Sequence, residues 1–125
     1  MAHDIIYFHI GDSDYLLTSI KQLQHFNPSR KIHLIGRGVS DEVKKRVQFY
    51  DYEDLMCKDS SKFLHMFVNH STNNPDFEKI CIFRWYLIKN LCAQEGIARF
   101  FCLDSDVMVY CDLNKELKKF DSNRY

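Results

Sequence analysis

Hydrophobic positions change their period several times along the chain, and each change marks an element. "DIIYFHI", residues 4–10, is an unbroken apolar run closed by Gly11, the pattern of a strand buried on both faces. Tyr15, Leu16, Ile20, Leu23 and Phe26 then recur at helical spacing until Asn27-Pro28 ends the pattern. "KIHLIG" at 31–36 reads as a second strand. Ser40-Asp41-Glu42 caps a short basic helix reaching about Arg46, and "VQFYDY" at 47–52 is a third strand. The pattern weakens over 53–75, with a helix expected around 61–68 and a polar loop in "NHSTNNP" at 69–75.

From Asp76 to about Gln94 the helical signal is strong. Phe77, Ile80, Leu87 and Leu91 form one stripe with Cys81, Ile88 and Cys92 beside it, and Gly96 closes the helix. "RFFCL" at 99–103 is a fourth strand and "VMVY" at 107–110 a short fifth. "LNKELKKF" makes a closing turn or helix. Strands alternating with helices predict an α/β fold over 1–125 as a single domain, Rossmann-like, with a mostly parallel sheet in the order 3-2-1-4 and helices on both faces. Ligands of such sheets bind at the carboxyl ends of the strands, where the strand order reverses.

Composition narrows the choice of ligand. Lys plus Arg and Asp plus Glu both number 17, so there is no global positive field of the kind that holds nucleic acid. No apolar run approaches the roughly 20 residues of a membrane span, and the N-terminus lacks the basic lead of a signal peptide, which predicts a cytoplasmic protein. The five cysteines form no C-x-x-C pair and are read as reduced, mostly buried small apolar residues.

Two Asp-Ser-Asp tripeptides stand out, Asp12–Asp14 after the first strand and Asp104–Asp106 after the fourth. Twelve aspartates in the chain make about one such pair expected by chance, so their positions carry the argument. In the order 3-2-1-4 both loops open on one crevice. The first tripeptide either caps the following helix or touches a ligand. The second precedes strand-like residues, so capping does not explain it, and a plain turn there favours Asn-Gly or Asp-Gly over two charges. Paired carboxylates repel unless a cation lies between them, and hard oxygen ligands suit Mg²⁺ or Mn²⁺, with diphosphate and water filling the shell. Arg84 falls in the middle of the stripe 77, 80, 84, 87 and 91. Buried there it requires an anion, either Asp104, Asp106 or a ligand phosphate; with the stripe rotated it reaches solvent instead.

On these residues the chain resembles glycosyltransferases of the GT-A fold, the nucleotide-sugar-dependent class with an Asp-x-Asp metal motif. The likeness is carried by "FEKICIFRWYLIKNLCAQEGIARFFCLDSDVMVYCDL" and by the opening "IIYFHIGDSDYLLTSIKQLQHFNPSRKIHLIG", and is weakest over 53–75. It implies that Asp106 is the principal ligand of Mn²⁺ or Mg²⁺, with Asp104 on the metal or the ribose. Arg84 would fix the motif or the diphosphate, while His9, Gly11, Asp12 and Asp51 would border the base and ribose. The implied donor is a UDP-sugar and the implied reaction is hexosyl-type transfer to a hydroxyl. The metal would neutralise charge on the leaving diphosphate.

Only nineteen residues follow Asp106, among them Asp112, Glu116 and Asp121, so the expectation is a truncated, donor-binding half of a GT-A fold with no catalytic residue assigned. It would be completed by a missing segment, a complementing subunit or a homo-oligomer. Two rivals stand beside it: a non-catalytic nucleotide-binding or interaction module on the same fold, and a flavodoxin-like signalling domain using Asp12, Asp14 and Asp51. A metal site from Cys57, His65 and His70 matches no common ligand spacing.

Overall fold

The computed structural model of the chain describes residues 3–70, 72 and 74–122, the last two by their backbone alone. Residues 71 and 73 of the expected polar loop, and the side chain of Asp121, lie outside the described residues. The elements run β1 (Asp4–Ile10), α1 (Asp14–Phe26), β2 (Ile32–Arg37), α2 (Asp41–Lys44), β3 (Gln48–Asp51), a 3-10 turn (Tyr52–Leu55), α3 (Lys58–Met66), α4 (Pro75–Glu95), β4 (Phe100–Leu103) and α5 (Leu113–Ser122). The fold is α/β, with one parallel four-stranded sheet in the order β3-β2-β1-β4, as the sequence predicts. The chain divides into two compact units, one taking in the chain up to Phe49 and from Arg99 onward, the other Tyr50–Ala98.

In the first unit β1 pairs with β2 from Ile5↔Ile32 to Ile10↔Arg37 and with β4 from Asp4↔Phe100 to Tyr7↔Leu103. Alternation sends Ile5 and Tyr7 to the same side as Ile32 and Leu34, where they pack with Leu16, Ile20 and Leu23 of α1, Val43 of α2, Val109 and Leu113. Ile6, His33 and Ile35 on the other side are also fully buried. A strand buried on both faces cannot alternate apolar with polar, which is why "DIIYFHI" reads as one run. The fully buried polar residue of β2 is His33, whose Nε2 donates to Asp4 Oδ2 at 2.9 Å.

Side-chain amides and hydroxyls close the unit. Asn27, buried at the end of α1, donates from Nδ2 to the carbonyls of Leu23 (3.2 Å) and Cys111 (2.9 Å) and accepts from Leu113 N at 2.8 Å, tying α1 to the start of α5. Ser40 Oγ accepts from Val43 N at 3.3 Å and caps α2, as its position after the second strand predicts.

The fifth strand expected at 107–110 does not form. Val107 N donates to Asp104 O at 3.1 Å, turning the chain as it leaves β4, and the carbonyls of Val107 and Cys111 are then taken by Ser19 and Asn27. With those groups engaged by α1 the segment crosses as irregular chain, Val109 buried and Val107 and Tyr110 exposed.

In the second unit α3 begins earlier than the sequence suggests, at Lys58, because Ser60 makes two bonds with the backbone of Cys57, accepting from its N at 2.8 Å and donating to its O at 2.9 Å. Asn74 caps α4 by accepting from Asp76 N (2.8 Å) and Phe77 N (3.4 Å), Pro75 occupies its first turn, and Gly96 ends it in the left-handed conformation, φ +67°. The buried face of α4 is Phe83, Leu87, Ile88 and Leu91. This corrects the expected stripe at its start: Phe77 and Ile80 in the first turns are exposed, while Arg84, half-buried, lies between Leu91 and Ile88 around the covered face. Tyr86 stacked on Phe63 at 5.2 Å, Phe83 edge-on to Tyr52 at 6.4 Å and Asn90 Nδ2 donating to Leu55 O at 2.7 Å set the rotation.

Two glycines separate steric from conformational demand. A Cβ on Gly36 would lie 1.9 Å from the carbonyl oxygen of His9, its partner across the sheet, whereas a Cβ on Gly96 would meet nothing within 4 Å. Gly36→Ala is expected to lower the unfolding free energy by about 3 kcal/mol or more, beyond ordinary overpacking because backbone must move. Gly96→Ala should cost only about 1–2 kcal/mol, the left-handed penalty. Urea denaturation of the two variants against the wild type checks the ordering.

Candidate functional site

The carboxyl ends of β1, β2 and β4 carry the residues that the sequence singles out. β1 runs into Gly11, whose φ of +99° turns the chain away from the sheet while its N–H still donates to Arg37 O at 2.8 Å. β2 runs into Gly38, φ +73°, and a Cβ there would sit 3.7 Å from Gly11 Cα. Two turn glycines thus let the loops leaving adjacent strands approach backbone to backbone.

β1 and β4 are neighbours, so Asp12-Ser13-Asp14 and Asp104-Ser105-Asp106 leave the sheet side by side. All four carboxylate residues are exposed. Ser13 is the N-cap of α1 and makes no side-chain capping bond; Leu16 N bonds the Ser13 carbonyl at 3.1 Å instead. Asp14 lies in the first turn, where its charge complements the helix dipole. Side-chain hydrogen bonding to the N-cap therefore does not explain the first tripeptide.

The centre of the edge is His9, which the sequence marks, and Ser105, which it does not. His9 Nδ1 and Ser105 Oγ are joined at 2.8 Å, linking the end of β1 to the middle of the second acidic loop across 96 positions of chain. His9 is 6% exposed, its ring meets Tyr15 edge-on at 5.7 Å, and its Nε2 is buried with no hydrogen-bond partner among the described residues. Burial pushes the imidazole below its ordinary value, with the nearby Asp12 charge pulling partly back.

A second brace runs beneath. Ser19 Oγ donates to Val107 O at 2.6 Å, and having spent its one hydrogen there it accepts from Tyr7 OH at 3.2 Å. Burial raises the Tyr7 phenol, with the bond to Ser19 acting the other way. Neither Tyr7 nor Ser19 was flagged by the sequence; a hydroxyl at a buried α1 position, on the apolar stripe, was the available signal. Between these braces Ser105 turns inward while Asp104 and Asp106 flank it toward solvent.

Asp51 and Arg84 belong to the second unit. Asp51 ends β3 and accepts from Glu53 N at 3.0 Å, capping the 3-10 turn. The Arg84 guanidinium lies 5.5 Å from the ring centre of Trp85. Its Nε is buried, while the residue as a whole is half-buried. Among the described residues no three His, Cys, Asp or Glu side chains converge as a metal-binding group, so a cation on Asp104 and Asp106 would draw further oxygens from its ligand and from water.

The five cysteines are half-buried free thiols, less enclosed than their apolar context suggests. Cys57 is distinct: as N-cap of α3 its sulfur is stabilised as thiolate by hydrogen bonds from Asn90 and then from the backbone of Ser60, which bring it down to about 7. Alkylation by iodoacetamide at pH 7.5 followed by peptide mass spectrometry is expected to modify Cys57 ahead of the other four; equal rates would refute the assignment.

Among the described residues no helix is long and apolar enough to cross a membrane.

His9 also makes the site sensitive to pH. Its folded-state value lies below that of an unfolded histidine, about 6.5, so the stability it contributes is present above that value and is lost as pH falls beneath it. Urea denaturation at pH 7.5 and 5.5 should show a smaller loss on acidification in His9→Gln than in the wild type. Ser105→Ala should destabilise by about 1–3 kcal/mol by stripping a buried partner from His9, with the exposed Asp104→Asn close to neutral.

Comparison with protein-family models, with curated proteins and with solved structures finds no match to this chain.

Proposed function

We propose that this chain binds a nucleotide sugar, with a UDP-sugar as the first candidate, through Mn²⁺ or Mg²⁺ held at Asp104 and Asp106, as the donor-binding half of a GT-A-type glycosyltransferase acting in the cytoplasm. The observation that supports it most is the His9–Ser105 bond, which fixes the second acidic loop beside the end of β1 at the carboxyl edge of a parallel sheet. Crevices of this kind receive nucleotides in open α/β sheets.

In this reading Asp106 and Asp104 hold the cation, whose chemistry is to neutralise charge on the leaving diphosphate. Gly11 and Gly38 allow close approach of a ligand to the backbone, and the buried His9 stiffens the loop that carries the two carboxylates. Transfer to a hydroxyl acceptor requires an acceptor-binding half, supplied by further chain, by a complementing subunit or by a second copy.

Calorimetry of the purified chain with UDP, GDP and UDP-sugars, with and without Mn²⁺, tests the proposal. Metal-dependent binding that weakens about tenfold or more, roughly 1.4 kcal/mol, in Asp106→Asn and Asp104→Asn is expected. Binding indifferent to Mn²⁺, or none to a folded sample, overturns it. Binding without donor hydrolysis or transfer would mark the chain as a nucleotide-binding module.

A further inference from the structure

The opposite edge of the same sheet carries a cleft of contrary charge. Arg30 and Lys31 precede β2, and Lys45, Arg46 and Val47 precede β3. Together with Gln48 they line an open, mostly polar cleft of about 200 Å³ at the amino ends of these strands. Four cationic residues thus line one small volume in a chain whose formal net charge is zero, and three of them, Lys31, Lys45 and Arg46, are exposed.

Their charges are little offset locally. Among the described residues Lys31, Lys45 and Arg46 make no ion pair. Arg46 is oriented by Gln24, whose Nε2 donates to Arg46 O at 2.9 Å and whose Oε1 accepts from the guanidinium at 3.3 Å. Arg30 is 7% exposed and held by the His3 carbonyl and Asn114 Oδ1, with its guanidinium 5.4 Å from the Phe101 ring centre. Its Nε is buried and has no partner among the described residues. The acids acting on Arg30 are Asp112 and Asp4, and both have other uses: Asp112 accepts from Asn114 N at 2.8 Å and Asp4 from His33.

We propose that this cleft is a second ligand site, which takes the phosphate or diphosphate group of a small soluble molecule. The volume corresponds to roughly six or seven waters, enough for such a group. The Arg46 guanidinium supplies a forked donor matched to phosphate oxygens and Lys31 and Lys45 add two exposed ammonium charges, so that three available positive charges suit an anion carrying about two or more negative charges better than a single carboxylate. The site is independent of the carboxylates at the other edge and needs no divalent cation.

The test is calorimetric titration of the whole chain, in metal-free buffer, with inorganic phosphate, pyrophosphate and acetate. Saturable binding is expected for the first two, tightest for pyrophosphate, with acetate at least about tenfold weaker. The exposed pair Lys45→Ala/Arg46→Ala should weaken pyrophosphate binding about tenfold or more, and Lys31→Ala by a smaller factor, with circular dichroism unchanged. Asp104→Asn should leave it intact. Absence of saturation in the folded wild type overturns the proposal, as does affinity equal in the double variant. Loss in Asp104→Asn alone would assign the anion to the acidic edge, and capture on vesicles containing phosphatidic acid without saturable binding of either soluble phosphate would assign the cleft to a membrane surface; both overturn it.

Discussion

Everything at the acidic edge depends on β1 being enclosed. Ile5, Ile6 and Tyr7 are wholly buried, and the strand is hydrogen-bonded to β2 on one side and β4 on the other. A strand spent on both faces and both edges leaves its chain only one direction in which to open. The loop after β1 therefore emerges between the loops after β2 and β4, and distant segments of sequence meet there. The same enclosure leaves the polar ring of His9 dependent on a protein partner, because burial of an unsatisfied group costs more than most single contacts return. Ser105 meets that need, and in doing so anchors the loop whose outer residues are Asp104 and Asp106.

The constraint also runs back through β2. Gly36 stands opposite His9 with no room for a Cβ, so strand pairing at this point is closer than any other residue would permit. His9 is consequently held by backbone on one side and by Ser105 on another. The Tyr7–Ser19–Val107 chain adds an attachment from α1. Two tethers on one short loop, Ser105 to His9 and Val107 to Ser19, tie the loop of Asp104 and Asp106 to the core.

How much of this was legible in the sequence follows from the kind of pattern involved. Strand order 3-2-1-4 and the adjacency of the two acidic loops follow from apolar runs that change period, because burial on two faces writes itself into consecutive residues. The covered length of α4 does not: Phe77 and Ile80 share the stripe of Leu87 and Leu91, yet Tyr52, Phe63 and Leu55 meet the helix only at Phe83, Tyr86 and Asn90, and no periodicity of α4 contains that limit. "VMVY" looks like a strand by composition, yet Ser19 and Asn27 take hydrogen bonds that a ladder would need. Ser105 was hidden by its neighbours, whose charges drew the eye to the exposed positions. The basic cleft was hidden by separation, since residues 30–31 and 45–48 become one feature only when β2 and β3 pair.

A neutral total charge conceals a sheet that is acidic at one edge and basic at the other. Asp12, Asp14, Asp104 and Asp106 gather at the carboxyl ends, while Arg30, Lys31, Lys45 and Arg46 gather at the amino ends of β2 and β3. A strand of six or seven residues spans about 20 Å. The Debye length at physiological ionic strength is about 8 Å, so exposed charges at the two edges are largely screened from each other. Each edge can therefore hold a like-signed cluster without the opposite cluster neutralising it. Cations drawn to one edge and anions drawn to the other need not compete. Self-repulsion within the second acidic loop is not readily relieved by rearrangement, because that loop is fixed to the core by His9 and Ser19, just as the guanidinium of Arg30 is fixed to the His3 carbonyl and Asn114.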